Sequence, residues 1–204
     1  MGNIGLLRSY KRVKKDNEYL FVPKNSVQLC DAIDSLIEEY GINADLNCIN
    51  TSYIENMSYI FGGHAFNGDI SQWDVSNVKY MEGTFRNSMF NGNISDWDVS
   101  NVIDMNSMFE GSAFNGDISS WDVSNVKDMR YMFRESAFNE DISSWNLKSV
   151  LNTSGMFTNS SFNKNLDKWE AFFKKGKLFR PNIYKLHMFK GCPMEKHPPK
   201  WFKG

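Results

Sequence analysis

Six side chains of the kinds that attack carbonyls, carry protons or hold metals are scattered along this 204-residue chain: Cys30, Cys48, Cys192, His64, His187 and His197. A zinc site needs thiolates or imidazoles at short regular spacing, and a nucleophilic thiol needs a base beside it. His187 and Cys192 stand close together in "HMFKGC", yet no CxxC or HxxxH spacing occurs. A phosphate-cradling glycine loop, a dinucleotide fingerprint and a serine elbow are likewise missing from the sequence. These residues predict a protein that is not an enzyme and that carries no cofactor and no metal.

Carboxylates, in contrast, recur on a strict beat. Asp74, Asp98 and Asp122 fall 24 residues apart, followed by Asn146 and Glu170 in the same place. Gln72, Asp96, Ser120, Ser144 and Lys168 accompany them two residues earlier, and Ser76, Ser100, Ser124 and Lys148 two residues later. Stacked about 4.8 Å apart, such carboxylates repel by roughly 1–3.5 kcal/mol at effective dielectrics of 80 to 20. Serine hydroxyls, backbone N–H groups or a basic partner must offset that. Two roles fit: each Asp orders its own "DVSN" turn, or the row binds a protein. One carboxylate per coil is a poor cage for calcium. The candidate partner-binding residues are Gln72, Asp74, Ser76, Asp96, Asp98, Ser100, Ser120, Asp122, Ser124 and Asn146.

The beat belongs to an internal repeat. "FNGDISQWDVSNVKYMEGTF" from Phe66 is echoed by "FNGNISDWDVSNVIDMNSMF" from Phe90 and "FNGDISSWDVSNVKDMRYMF" from Phe114. Trp73, Trp97, Trp121, Trp145 and Trp169 keep the interval, as do Phe61, Phe85, Phe109, Phe133 and Phe157. Coils begin at Ile42, Phe66, Phe90, Phe114, Phe138 and Phe162; the last needs eight extra residues before closing at "LHMF". Within a coil, Trp73 and Val75 alternate with Asp74 at strand period, while Val78, Met81 and Phe85 have the spacing of a helical face. The spacing therefore predicts an α/β solenoid: a leucine-rich-repeat-like, right-handed stack with one short parallel strand and a short helical or 3-10 return per repeat. Its Trp, Met and Phe rows form the core, and Asn67, Asn91, Asn115, Asn139 and Asn163 form a structural ladder.

"FNGDISxWDVSNVxDMxxMF" resembles the repeat of BspA-like leucine-rich-repeat proteins, in the branch shared with bacterial repeat lipoproteins. The resemblance spans about residues 42–165. It implies a bacterial interaction protein, often at the cell surface as an adhesin or host-interaction factor, without catalysis or an obligate cofactor.

An open stack needs caps. Residues 1–41 read as an N-terminal segment holding a short strand, "EYLFVP", and a helix, "NSVQLCDAIDSLIEEY". Asn25 or Ser26 caps that helix, Gly41 stops it, and its stripe is Val27, Cys30, Ile33, Ile37 and Tyr40. Residues 42–165 are the repeat array. Residues 166–204 hold the last coil, a helical insertion in "WEAFFKKGKLFRPNIYKLHMF", and an irregular basic tail, "CPMEKHPPKWFKG".

The net charge of −1 hides a division: residues 25–161 carry six basic and nineteen acidic groups, residues 162–204 eleven and three. The acidic middle favours a basic or polar protein partner bound through the strand face. Basic and aromatic residues interleaved from Phe172 to Lys190 open nucleic-acid association as an alternative, and oppositely charged segments open self-association. No apolar run approaches a membrane span. The lack of a secretory signal and an odd set of cysteines place the chain in the cytoplasm, whereas the resemblance implies the cell surface.

Overall fold

Aspartate and asparagine make most corners of the coils. In the coil from Phe90, Asn93 Oδ1 accepts the Ser95 N–H at 3.0 Å, Asp98 Oδ1 that of Ser100 at 3.1 Å, and Asp104 Oδ1 that of Asn106 at 2.8 Å. A side chain that mimics a backbone turn in this way bends the chain at no cost in buried polar groups. The computed structural model describes residues 20–173 and 183–203, and this three-cornered path repeats through them.

Two kinds of bond fasten coil to coil. Along one side the backbone pairs in parallel: Met81, Gly83, Phe85 and Asn87 donate to the carbonyls of Asp104, Asn106, Met108 and Glu110 at 2.7–2.9 Å. Along another side the indole N–H of Trp97 donates to Ile70 O at 3.2 Å, that of Trp121 to Ile94 O at 3.1 Å and that of Trp145 to Ile118 O at 3.0 Å. The rings fill the interior. Phe61, Phe85 and Phe109 stack at 5.5 Å with interplanar angles of 4°, and Trp73 lies on Trp97 at 6.4 Å and 2°. All five repeat tryptophans are buried, while Asp74, Asp98 and Asp122 are exposed.

The expected α/β class is wrong. Among the described residues there is no β-strand and no sheet, only isolated parallel bridges such as Tyr80↔Asp104 and Asp104↔Asp128. The described residues hold two α-helices: α1, Ser26–Tyr40, and α2, the four residues Glu170–Phe173. The two halves of the coil were also assigned the wrong way round. The "WDV" stretch expected as a strand only links two turns: Trp73 N–H returns to Ile70 O at 3.2 Å before it and Val78 N–H to Val75 O at 2.9 Å after it. The "VKYMEGTF" stretch expected as the helical return carries the backbone ladder. It is not a strand either, because alternate N–H groups close turns within the coil, Thr84 to Met81 O at 3.3 Å and Arg86 to Gly83 O at 3.0 Å. Left-handed residues at Gly83 (φ 57°) and Asn87 (φ 54°) enforce the turns and break both regular elements.

α1 begins where expected, with Asn25 Oδ1 accepting the Gln28 N–H at 3.0 Å, and ends at Gly41, φ 86°. Its buried face is Leu29, Ala32, Ile33 and Leu36, one step round from the expected stripe; Val27 and Tyr40 are 70% and 65% exposed. Of "EYLFVP", residues 18 and 19 lie outside the described residues, and the rest contributes one bridge, Phe21↔Ile49, rather than a strand. Beyond Phe173 the expected helical insertion lies outside the described residues until residue 183. The tail is not irregular. Short 3-10 turns at Pro193–Glu195 and Lys200–Lys203 carry Met194 and Trp201 into the core, and Trp201 Nε1 donates to Leu166 O at 2.9 Å. The tail is the start of another coil, in register once the eight extra residues are allowed for.

Candidate functional site

The Asp74, Asp98 and Asp122 carboxylates stand in one exposed row, each with Oδ1 held by its own turn. Ser76, Ser100 and Ser124 donate backbone N–H groups to them at 3.0, 3.1 and 3.0 Å, and Ser76 Oγ adds a bond of 2.6 Å to Asp74. The Ser124 hydroxyl and N–H lower the Asp122 pKa, as the Ser71, Ser119 and Ser143 N–H groups lower those of Asp69, Asp117 and Asp141. Asn146 continues the row with the same turn, accepting Lys148 N–H at 3.1 Å. The carboxylates are thus held in place and outward before any partner arrives.

The flanking residues divide. Gln72, Asp96 and Ser120 are exposed beside the row, although Gln72 N–H is held by Asn47 Oδ1 at 2.9 Å and Ser120 Oγ donates to Ser95 O at 3.1 Å. Ser76 and Ser100 are half-buried and Ser124 is buried. The Ser76 and Ser100 carbonyls accept the amides of Asn101 and Asn125, both at 2.7 Å. This flank is therefore committed to stacking.

The asparagine ladder is structural by its geometry. Asn67, Asn91, Asn115 and Asn139 each accept through Oδ1 the backbone N–H of the next asparagine, at 2.6–2.8 Å. Gly92 and Gly116 sit among them without positive φ.

Burial pushes the Cys30 and Cys192 thiols up, and His64 Nε2 lies 3.5 Å from Asp34 Oδ1. Among the described residues no three metal-ligating side chains converge, and no helix is long and apolar enough to cross a membrane. Of the basic and aromatic segment, residues 174–182 lie outside the described residues.

Sequence reasoning missed a charged face along the backbone ladder. Glu110, only 7% exposed, is held between Arg86 Nε at 3.2 Å and Arg134 Nη1 at 3.3 Å, one coil to either side. Asp128 pairs with Arg130 at 2.8 Å, and Tyr59 Oη donates to Glu82 Oε1 at 2.7 Å. Burial, followed by the Asp128 charge, raises the Asp104 pKa. The signal was present: these positions differ from coil to coil while "DVSN" recurs unchanged in three successive coils.

Two overlapping stretches, residues 31–115 and 86–190, match a family model described as "Mycoplasma protein of unknown function, DUF285". No curated protein and no solved structure matches the chain.

Proposed function

We propose, from the premise that this chain belongs to the DUF285 family, that it is a non-enzymatic module which binds a basic or polar protein through the Asp74, Asp98 and Asp122 row. The observation that carries this reading is the fixed outward presentation of those carboxylates, each anchored through one oxygen by its own turn. Pre-orientation reduces the entropy lost on binding, and a single-signed row speeds encounter with a cation-bearing partner. The BspA-like resemblance, which brings the adhesin role at a cell surface, is compatible with such a row.

The test exploits the row's own tolerance for asparagine. Asn50 and Asn146 make the same turn at equivalent places, accepting Ser52 N–H at 3.0 Å and Lys148 N–H at 3.1 Å. Asp74→Asn/Asp98→Asn/Asp122→Asn removes three charges and keeps the corners. A protein captured from lysate by the parent chain and released by this variant, with an unchanged melting curve, supports the reading. Equal capture by both removes it.

A further inference from the structure

Comparing coil with coil separates two kinds of outward row. The asparagine ladder, which bonds coil to coil through each Oδ1, keeps the same residue from Asn67 to Asn163. The rows through Lys79, Tyr80, Glu82 and Arg86 follow one unbroken backbone ladder, yet they change at nearly every coil. Tyr80, for example, is succeeded by Asp104, Asp128, Asn152 and Tyr184. Asp104, Asp128 and Asn152 close corners on the N–H groups of Asn106, Arg130 and Ser154, yet tyrosine takes the same place in two coils, so the stack does not fix the residue.

Their variation is ordered along the stack. Coils one to three place Glu55, Glu82, Asp104 and Glu110 on this face against Lys79 and Arg86. Coils four to six place Lys127, Arg130, Arg134 and Lys190 there against Asp128 and Glu135. One half is net acidic and the other net basic by the same amount. Apolar groups lie exposed on both halves: Tyr59 at 46% and Tyr80 at 42% on the acidic one, Leu151 at 43%, Tyr184 at 69% and Leu186 at 69% on the basic one.

A surface whose two halves are opposite in charge complements itself when turned end for end. We propose that this face is the interface of a two-fold symmetric homodimer with antiparallel stacks, coil six of one copy lying on coil one of the other. An axis between coils three and four sets Leu151 against the second copy's Tyr80, Leu186 against its Tyr59, and Lys127 near its Asp104. Six coils about 4.8 Å apart give a face about 25–30 Å long. The proposal does not depend on the Asp74–Asp122 row, which lies on another side of the coil.

Sedimentation velocity across micromolar concentrations, at low and at physiological salt, tests it. A dimer is expected that dissociates on dilution and weakens with salt. Leu151→Asp/Leu186→Asp, at exposed positions that leave the core intact, should raise the dissociation constant about tenfold or more with an unchanged circular dichroism spectrum. Oxidation should link chains carrying both Tyr80→Cys and Leu151→Cys, but not chains carrying either alone. The Asp74→Asn/Asp98→Asn/Asp122→Asn variant should dimerise like the parent, separating this proposal from the recognition row. A monomer at every concentration, a dimer indifferent to the Leu151/Leu186 change, or linking through Tyr80→Cys alone overturns it.

Discussion

The Trp201 indole N–H reaches Leu166 O at 2.9 Å, repeating across the final turn of the stack the bond of Trp169 to Ile142 O at 3.3 Å. The recipient carbonyls work twice: Ile94 O accepts the Trp97 backbone N–H at 3.2 Å as well as the Trp121 indole at 3.1 Å. A tryptophan in this row is both a core ring and a rivet between coils.

Trp121→Phe keeps most of the ring and loses the rivet. Because Ile94 O retains its other donor, the cost is that of one neutral hydrogen bond plus lost ring area, about 1–3 kcal/mol. Denaturant unfolding should show a lower midpoint with an unchanged slope. Trp201→Phe should instead act locally, speeding amide exchange around Phe157 and Thr153 more than around Phe85.

Two glycines of the repeat should respond unequally to alanine. A Cβ at Gly68 would collide with the backbone carbonyl of Ala44, which cannot swing aside, whereas one at Gly116 would meet only the Phe114 ring edge at 2.9 Å. Glu140 and Lys164 already fill the place of Gly116 in later coils. Gly68→Ala should cost about 1–3 kcal/mol through overpacking, with Gly116→Ala well below it, both read from thermal melts.

Gly83 carries a different constraint. Its φ is 57°, and the space beside it is taken by the Tyr59 ring. Gly83→Ala should cost about 1–2 kcal/mol from the left-handed backbone alone, plus the clash. In Gly83→Ala/Tyr59→Ala the clash is relieved and only the backbone part should persist, a non-additivity that a double-mutant cycle measures.

Glu110→Ala would leave Arg86 and Arg134 facing each other without the carboxylate between them. Both arginines are about two-fifths exposed, so solvent softens the loss. A destabilisation of about 1–2 kcal/mol is expected, falling when Arg86→Ala is added, as chemical denaturation of the cycle would show.

The aspartates split by the sign of their pH dependence. Asp69, Asp117, Asp122 and Asp141 have lowered pKa values in the fold, so their contribution is full above the unfolded value of about 3.9. It is lost as pH falls through the lower folded values. Asp104, raised by burial, does the reverse, opposing folding most above its folded pKa. Asp104→Asn keeps the corner, as Asn152 does by accepting Ser154 N–H at 2.9 Å. It should raise the melting midpoint at neutral pH, with the gain shrinking as Asp104 of the parent protonates in acid; melts across that range decide it.

The period and the core rings were legible because a 24-residue repeat and large apolar side chains leave a strong imprint. The backbone path was not. Val78, Met81 and Phe85 all point inward, as a helix would place them, but a run of tight turns brings the same residues to the same side. Left-handed positions were hidden because Tyr59, Ser107, Tyr131 and Glu135 fill them as readily as glycine does, with φ of 54–60°. Trp201 was legible in principle: it stands one repeat plus the eight-residue insertion beyond Trp169. Of the candidate surface, the Asp row was visible through its regularity, whereas the Arg86–Glu110–Arg134 row escaped because its residue changes from each coil to the next.

The recurring side-chain bonds share a direction: Trp73 to Leu46 O, Asn77 to Ser52 O and Asn91 N–H to Asn67 Oδ1 all send a donor from a later residue to an acceptor made earlier. During synthesis each finished layer would already display these oxygen atoms, together with the backbone N–H groups of its ladder, to the layer that follows. Such a chain can accrete from the ribosome in the order it is translated, without waiting for its far end.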